Sequence, residues 1–139
     1  QTVSGTGTKT LTLSNSGGTW VMPAVVSNTV ARSLNSSFTI SLTQDFRVDY
    51  SVYTQVTSAL GGTNTADAFL EVSTTSGGTY TTLANSGIMT AGVLSNNGGT
   101  NCLSGFIPAG YWVRIRTAAA GSNSGSAVFT YRYGRENNE

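Results

Sequence analysis

Few residues of this chain can do chemistry, and they are thinly spread. Seven Lys and Arg stand against six Asp and Glu, and histidine is absent. Without imidazole no triad that uses His as base can be assembled, and one cysteine without histidine cannot supply the usual ligands of a zinc site. Paired carboxylates are the remaining catalytic option, because glycoside cleavage needs two of them about 5 to 10 Å apart. Asp45, Asp49, Asp67 and Glu71 are the candidates, and Asp49 and Glu71 both fall on polar faces of alternating segments. The same two residues would serve equally as cross-strand partners of Arg47, Arg114, Arg116 or Arg132, the ordinary use of a carboxylate on a sheet face. The stretches GTNTAD and SNNGGTN carry too few carboxylates for a calcium site. The glycines cluster in turns and lack phosphate-cradling spacing. No catalytic residue, metal or cofactor is expected.

The arginines give a clearer signal. In SGFIPAGYWVRIRT, Ser104 to Thr117, two strand-like runs flank a Pro-Ala-Gly turn. Alternation puts Tyr111, Val113 and Ile115 on one face of the second run and Trp112, Arg114 and Arg116 on the other. The first set reads as core. The second is too polar for a core, while Trp112 is too apolar for open water. Aromatics and Arg are enriched at subunit interfaces. The expectation is that Trp112 packs between subunits and that Arg114 or Arg116 pairs with Asp49, Glu71 or Glu136.

A ligand surface would leave other marks. Rings stack on sugar faces, and amides, hydroxyls and guanidinium groups bond to hydroxyls. Tyr53, Tyr80, Trp112, Tyr131 and Tyr133 stand on outward faces or strand ends, although each also suits a core or an interface. Asn64, Asn96, Asn97 and Asn123 lie in the hydroxyl- and amide-rich loops GGTNTAD, SNNGGTN and GSNSGS. Such loops often only turn the chain. Tyr53, Asn64, Tyr80, Asn96, Asn97 and Asn123 are the ligand-binding candidates.

These residues need a scaffold, and composition indicates which kind. Charged residues make up 9% of the chain, against about 25% in ordinary domains. Hydrophobic residues are 38%, and Ser with Thr exceed roughly a quarter of the 139 residues. Val, Ile, Phe, Tyr and Thr dominate the patterned segments, which is strand composition. The clearest run is Phe46 to Val56, with Phe46, Val48, Tyr50, Val52 and Val56 on one face and Arg47, Asp49, Ser51, Tyr53 and Gln55 on the other. Further runs are Thr8–Ser14, Thr19–Val26, Ser36–Thr43, Ala68–Ser73, Thr79–Ala84, Gly87–Ser95, Thr100–Ile107, Tyr111–Ala118 and Ala127–Tyr133. In Ser36–Thr43 the residues Phe38, Ile40 and Leu42 share a face. Pro23 marks an edge or a bulge, NNGG at Asn96–Gly99 reads as a turn, and a polar tail ends the chain. About ten short strands with regular turn signals predict a two-sheet sandwich of jelly-roll type. Residues 1–18 read as a linker or a first strand from an upstream part, and 19–139 as the sandwich. Cys102 reads as a small buried hydrophobe. No basic cluster suits nucleic acid, and no apolar run reaches the length of about 20 residues that a membrane crossing needs.

RSLNSSF (Arg32 to Phe38), PAGYWVRIRT (Pro108 to Thr117) and the closing FTYRYG (Phe129 to Gly134) carry a resemblance. Over about Ala31 to Gly134 the chain resembles the C-terminal domains of tail-fibre, tail-needle and related adhesion proteins of tailed bacteriophages. The tail ENNE departs from the short apolar ending of many relatives. The resemblance implies a homotrimeric, tumour-necrosis-factor-like jelly-roll knob at the tip of a virion fibre or needle. Such a knob is assembled in the bacterial cytoplasm and is not catalytic. Its implied partners are its own copies and a bacterial surface glycan or outer-membrane protein. Two other functions fit the residues: a trimerising cap or capsid decoration that binds no receptor, and a polysaccharide-degrading enzyme using Asp49 and Glu71.

Overall fold

In the computed structural model the described residues are 10–11, 20–21, 27–59, 62–121 and 125–138. They form strands and no helix. The strands are β1 (Thr10–Leu11), β2 (Trp20–Val21), β3 (Ser27–Thr29), β4 (Ser37–Thr39), β5 (Phe46–Thr57) and β6 (Asn64–Ser73). They continue with β7 (Thr81–Asn85), β8 (Met89–Ala91), β9 (Asn96–Ile107), β10 (Trp112–Gly121) and β11 (Ala127–Asn138). β1 and β2 form a small antiparallel ribbon. It holds the described part of Thr8–Ser14 and Thr19–Val26, while Pro23 lies outside the described residues.

The remaining strands make two antiparallel sheets. Sheet I has the order β4-β10-β6-β7, with β8 also on β6, and sheet II has the order β3-β11-β5-β9. Two-residue alternation fills the space between them. Val48, Tyr50, Val52 and Leu103 from sheet II meet Leu70, Val113 and Ile115 from sheet I, all at 0% exposure. Each such side chain contributes about 1.5 to 3 kcal/mol by leaving water. The chain is thus an all-β sandwich of two packed layers, and the inward sets expected for Phe46–Val56 and for Val113 and Ile115 are the core.

Five expectations about the chain need correction. Asn96–Gly99 is not a turn but the first third of β9, paired with Thr54–Thr57 of β5. β9 is an edge strand, and the Tyr53 ring lies over Gly98, where an added Cβ would come within 2.8 Å of the Tyr53 hydroxyl. An aromatic neighbour thus covers the backbone that glycine leaves bare. Asn64–Asp67 is strand and not loop, because β10 continues to Gly121 and supplies a partner to each residue. Glu136–Asn138 of the polar tail are the end of β11. A bulge between Tyr131 and Tyr133 shifts the register, so Gly134 and Glu136 turn inward and are buried. Cys102 is exposed on β9, 3.5 Å from the Ser104 hydroxyl. Leu42 is also on the surface, at 75% exposure, because β4 stops at Thr39.

The RSLN segment clamps the two sheets. Asn35 has a φ of 61°, a left-handed conformation that Asn tolerates better than most residues. Its backbone N–H donates to the Ile115 carbonyl, and its side-chain oxygen accepts from the Thr117 N–H at 2.8 Å. Leu34 packs against the core. Arg32 reaches Glu136 through two N–H donors at 2.8 and 2.7 Å, and the Tyr50 hydroxyl donates to the same carboxylate at 2.6 Å.

Candidate functional site

Each sheet has an outer face, and the two faces dispose of their charges differently. On sheet I, β10 lies beside β6 with Arg114 opposite Glu71, Arg116 opposite Phe69 and Trp112 opposite Ser73. Glu71 is only 4% exposed and holds both guanidinium groups. Arg114 donates to Oε2 from Nε at 3.0 Å and from Nη2 at 2.7 Å, and Arg116 donates from Nε to Oε1 at 2.8 Å. The Arg114 guanidinium also lies 4.1 Å from the Tyr80 ring centroid, and that of Arg116 4.0 Å from Phe69. Tyr80 is fixed in turn by donation to the Ser37 hydroxyl at 2.7 Å. Asp67, the other carboxylate of this face, is buried and accepts from Ser86 Oγ at 2.7 Å.

Burial alone would raise the Glu71 pKa. The hydrogen bonds from Arg116 and Arg114, with their charges, outweigh that effect and hold it below its ordinary value. This carboxylate stays ionised because two cations flank it, so its chemistry is ion pairing and not proton transfer.

Inside the sandwich, the Glu136 carboxylate keeps Arg32 charged by raising its pKa. Burial, followed by the hydrogen bond to Glu136, pushes the Tyr50 phenol far above its usual range. Burial likewise pushes Tyr131 up to about 12, and its hydroxyl donates to the Val30 carbonyl at 2.8 Å. These groups join the lead-in segment to β5 and β11.

Sheet II has a different outer face. Alternation on β5, β9 and β11 sends Arg47, Asp49, Tyr53, Phe106, Val128, Tyr133 and Arg135 outward. Phe106, Val128 and Tyr133 are 49%, 47% and 39% exposed. Arg132, at the bulge, stacks 5.0 Å from the Tyr53 ring centroid. Arg135 lies 5.9 Å from that of Tyr133 and donates to its hydroxyl at 3.0 Å. Asp49 accepts from Ser104 Oγ at 2.6 Å. Among the described residues neither Arg132 nor Arg135 has a carboxylate within 4 Å.

The residues proposed for one interface are therefore divided. Trp112, Arg114, Arg116 and Glu71 share the sheet I face, and of the three acids considered Glu71 is the partner of both arginines. Asp49 lies on the far side of the sandwich. Sheets pack about 10 Å apart, and Asp49 and Glu71 point away from each other, so they cannot flank one glycosidic bond. Tyr80 is part of the Arg114 cluster, and Tyr53 is on the sheet II face. Asn64 is buried at 5% exposure, donates to the Thr57 carbonyl at 2.8 Å, and lines a cleft of about 150 Å³ with Val56, Ala119 and Gly121. Asn96 accepts from Gln55 at 3.0 Å, and Asn97 donates to the Thr90 carbonyl at 3.1 Å. Asn123 lies outside the described residues. The pairing of Arg132 and Arg135 on one face was concealed in the sequence: only the bulge between Tyr131 and Tyr133 brings both there.

By fold and surface the molecule is an all-β sandwich with one neutralised and one basic, aromatic outer face. Over 118 aligned residues, covering 77% of the chain, it is 35% identical to part of "Uncharacterized protein 443R" of Invertebrate iridescent virus 6, and it spans 5% of that protein's length. No family model matches the chain. No solved structure matches it. Among the described residues no helix is long and apolar enough to cross a membrane.

Proposed function

We propose that this chain is a virion attachment domain: a non-catalytic jelly-roll knob that acts as a homotrimer and binds a host surface. The observation that carries the reading is the nested pairing of the strands. β3 pairs with β11, β4 with β10, β5 with β9 and β6 with β7. Each pair lies inside the previous one, as in a single long antiparallel ribbon rolled into two layers, and this nesting supports a jelly roll. Likeness to a short part of a long viral protein supports a viral module. The bacterial host and the fibre or needle tip come from the resemblance of the RSLN and PAGYWVR segments to phage adhesion tips. The separation of Asp49 from Glu71 favours binding over hydrolysis.

Trimerisation is assigned to the Trp112 side of sheet I. Trp112 is half-buried within the single chain, and its neighbours Arg114 and Arg116 are already fixed by Glu71. Such pre-ordered side chains lose little further freedom on association. Native mass spectrometry tests this: a trimer is expected, reduced to monomer by Trp112→Ala, and a monomeric parent chain would overturn the assignment. Labelled protein applied to a panel of bacterial strains tests attachment, with saturable binding to at least one strain expected. The second reading, a cap without a receptor, is favoured by the internally satisfied sheet I face. It predicts a trimer that binds no strain.

A further inference from the structure

The geometry points to the outer face of sheet II as a binding site for acidic polysaccharide, a polymer whose sugar rings bear carboxylates. This deepens the attachment reading and rests on it for the biological setting only. Among the described residues, Arg132 and Arg135 stand on this face with no carboxylate within 4 Å, and Asp49, the cross-strand partner of Arg135, already accepts from Ser104. Sheet I sets Arg114 and Arg116 against Glu71 and Asp67 and is balanced. Among the described residues, the guanidinium groups without a carboxylate partner at Arg132 and Arg135 are therefore gathered on the sheet II side.

Arg132 and Arg135 are also presented in a particular way. Each lies by a tyrosine ring and meets no carboxylate among the described residues. A guanidinium held by a ring is oriented, and it keeps donors for an incoming carboxylate, which it can bind through two parallel N–H bonds. Tyr53 and Tyr133 are near neighbours, because Ser51, the register partner of Tyr133, is two residues from Tyr53 on β5. Their rings, with exposed Phe106, offer flat apolar surface of the kind that stacks on the C–H face of a sugar. Thr100, Ser104 and Ser51 add hydroxyls beside them. Flat rings, oriented guanidinium groups and hydroxyls together match a polymer that alternates C–H faces, carboxylates and hydroxyls.

A second copy of this chain fits the face less well. Face-to-face pairing of two sheet II surfaces would oppose like charge, which costs association energy. The sheet I face has both its acids engaged already, so it offers no free carboxylate to Arg132 or Arg135.

The test is calorimetric titration of the intact chain with polygalacturonate, hyaluronate and polysialic acid. Carboxyl-reduced polygalacturonate and poly-glutamate serve as the neutral and the non-sugar controls. Binding to at least one acidic polysaccharide is expected. It should weaken as salt rises, and fall about tenfold or more in Arg132→Ala/Arg135→Ala and in Tyr53→Ala, with unchanged thermal unfolding confirming the fold. Failure of all three polymers to bind overturns the proposal. So does equal binding to poly-glutamate, which would indicate an acidic protein partner, and so does full affinity in the double variant. Strain binding separates this idea from the attachment reading. If strains are bound equally by the double variant, this site fails and attachment stands. If the polymer binds through Arg132 and Arg135 but no strain does, attachment fails and the site stands.

Discussion

The outer face of sheet I and that of sheet II are built from the same materials, arginines lying on aromatic rings, yet they end in opposite states. On sheet I one nearly buried carboxylate, Glu71, sits between Arg114 and Arg116 and neutralises their charges in place. On the outer face of sheet II Asp49 accepts from Ser104, and Arg132 and Arg135 rest on tyrosines with no carboxylate within 4 Å among the described residues. A guanidinium that has found its acid contributes to architecture. One that has found only a ring is ordered but still able to take an anion. Counting arginines would not separate these cases; the location of the acids does.

This contrast can be broken by substitution. The upper limit for losing such a carboxylate is set inside the sandwich. Glu136→Ala would leave Arg32 and the Tyr50 hydroxyl unpaired, and a loss of about 3 to 5 kcal/mol is expected in denaturant unfolding. Glu71→Ala removes the shared partner of two arginines whose side chains are about one-third exposed. Solvent screens part of that loss, so about 2 kcal/mol is expected. If Glu71→Ala is silent in a denaturant melt, sheet I is not held by its charges and the two faces are alike.

The pH dependence sharpens the same point. Glu71 has a folded-state pKa below its usual 4.5. Its pairing therefore stabilises the fold above that value and is lost as pH falls through the lowered folded-state value. Stability measured from pH 7 downward should show an acid limb starting near pH 4.5 that Glu71→Gln makes shallower. Parallel curves for the two proteins would refute the linkage. Smaller effects belong to sheet II. Gly98→Ala would push on the free end of the Tyr53 ring, at a cost of about 1 kcal/mol, and should weaken polysaccharide binding more than it weakens the fold. Arg132→Ala, on an exposed residue, should change stability by no more than about 0.5 kcal/mol. A loss as large as that of Glu71→Ala would make Arg132 structural and remove the difference between the faces.

Much of the fold could be read from single segments. The inward set of β5 and the split of β10 into Val113 and Ile115 against Trp112, Arg114 and Arg116 follow from the two-residue period, which is local and strong where β-branched residues supply it. Turn chemistry was less dependable. Pro108-Ala109-Gly110 does turn, with Gly110 at a φ of 77°, and it carries the chain from one sheet to the other. Asn96–Gly99 has as strong a turn composition and is strand, because β5 offers it a ladder, Tyr53 covers Gly98 and Met89 lies against Gly99. Of the site, the arginine pair on β10 was visible and Glu71 was among its expected partners. Arg132 and Arg135 were not visible, because the bulge that brings them to one face depends on how β11 registers with β5.

Composition and periodicity alone determined that this chain is all-β, that Val113 and Ile115 face inward while Arg114 and Arg116 face outward, and that no histidine chemistry is available. These properties depend on one residue and its neighbours two positions away. Which acid meets which arginine was decided only by the tertiary structure. Asp49, Glu71 and Glu136 are equivalent carboxylates in the sequence, but sheet assignment places one on each outer face and, through a bulge, one in the interior. Charge pairing falls off over a few ångströms, whereas Arg32 and Glu136 are separated by 104 residues of chain, and only the closed fold brings them together.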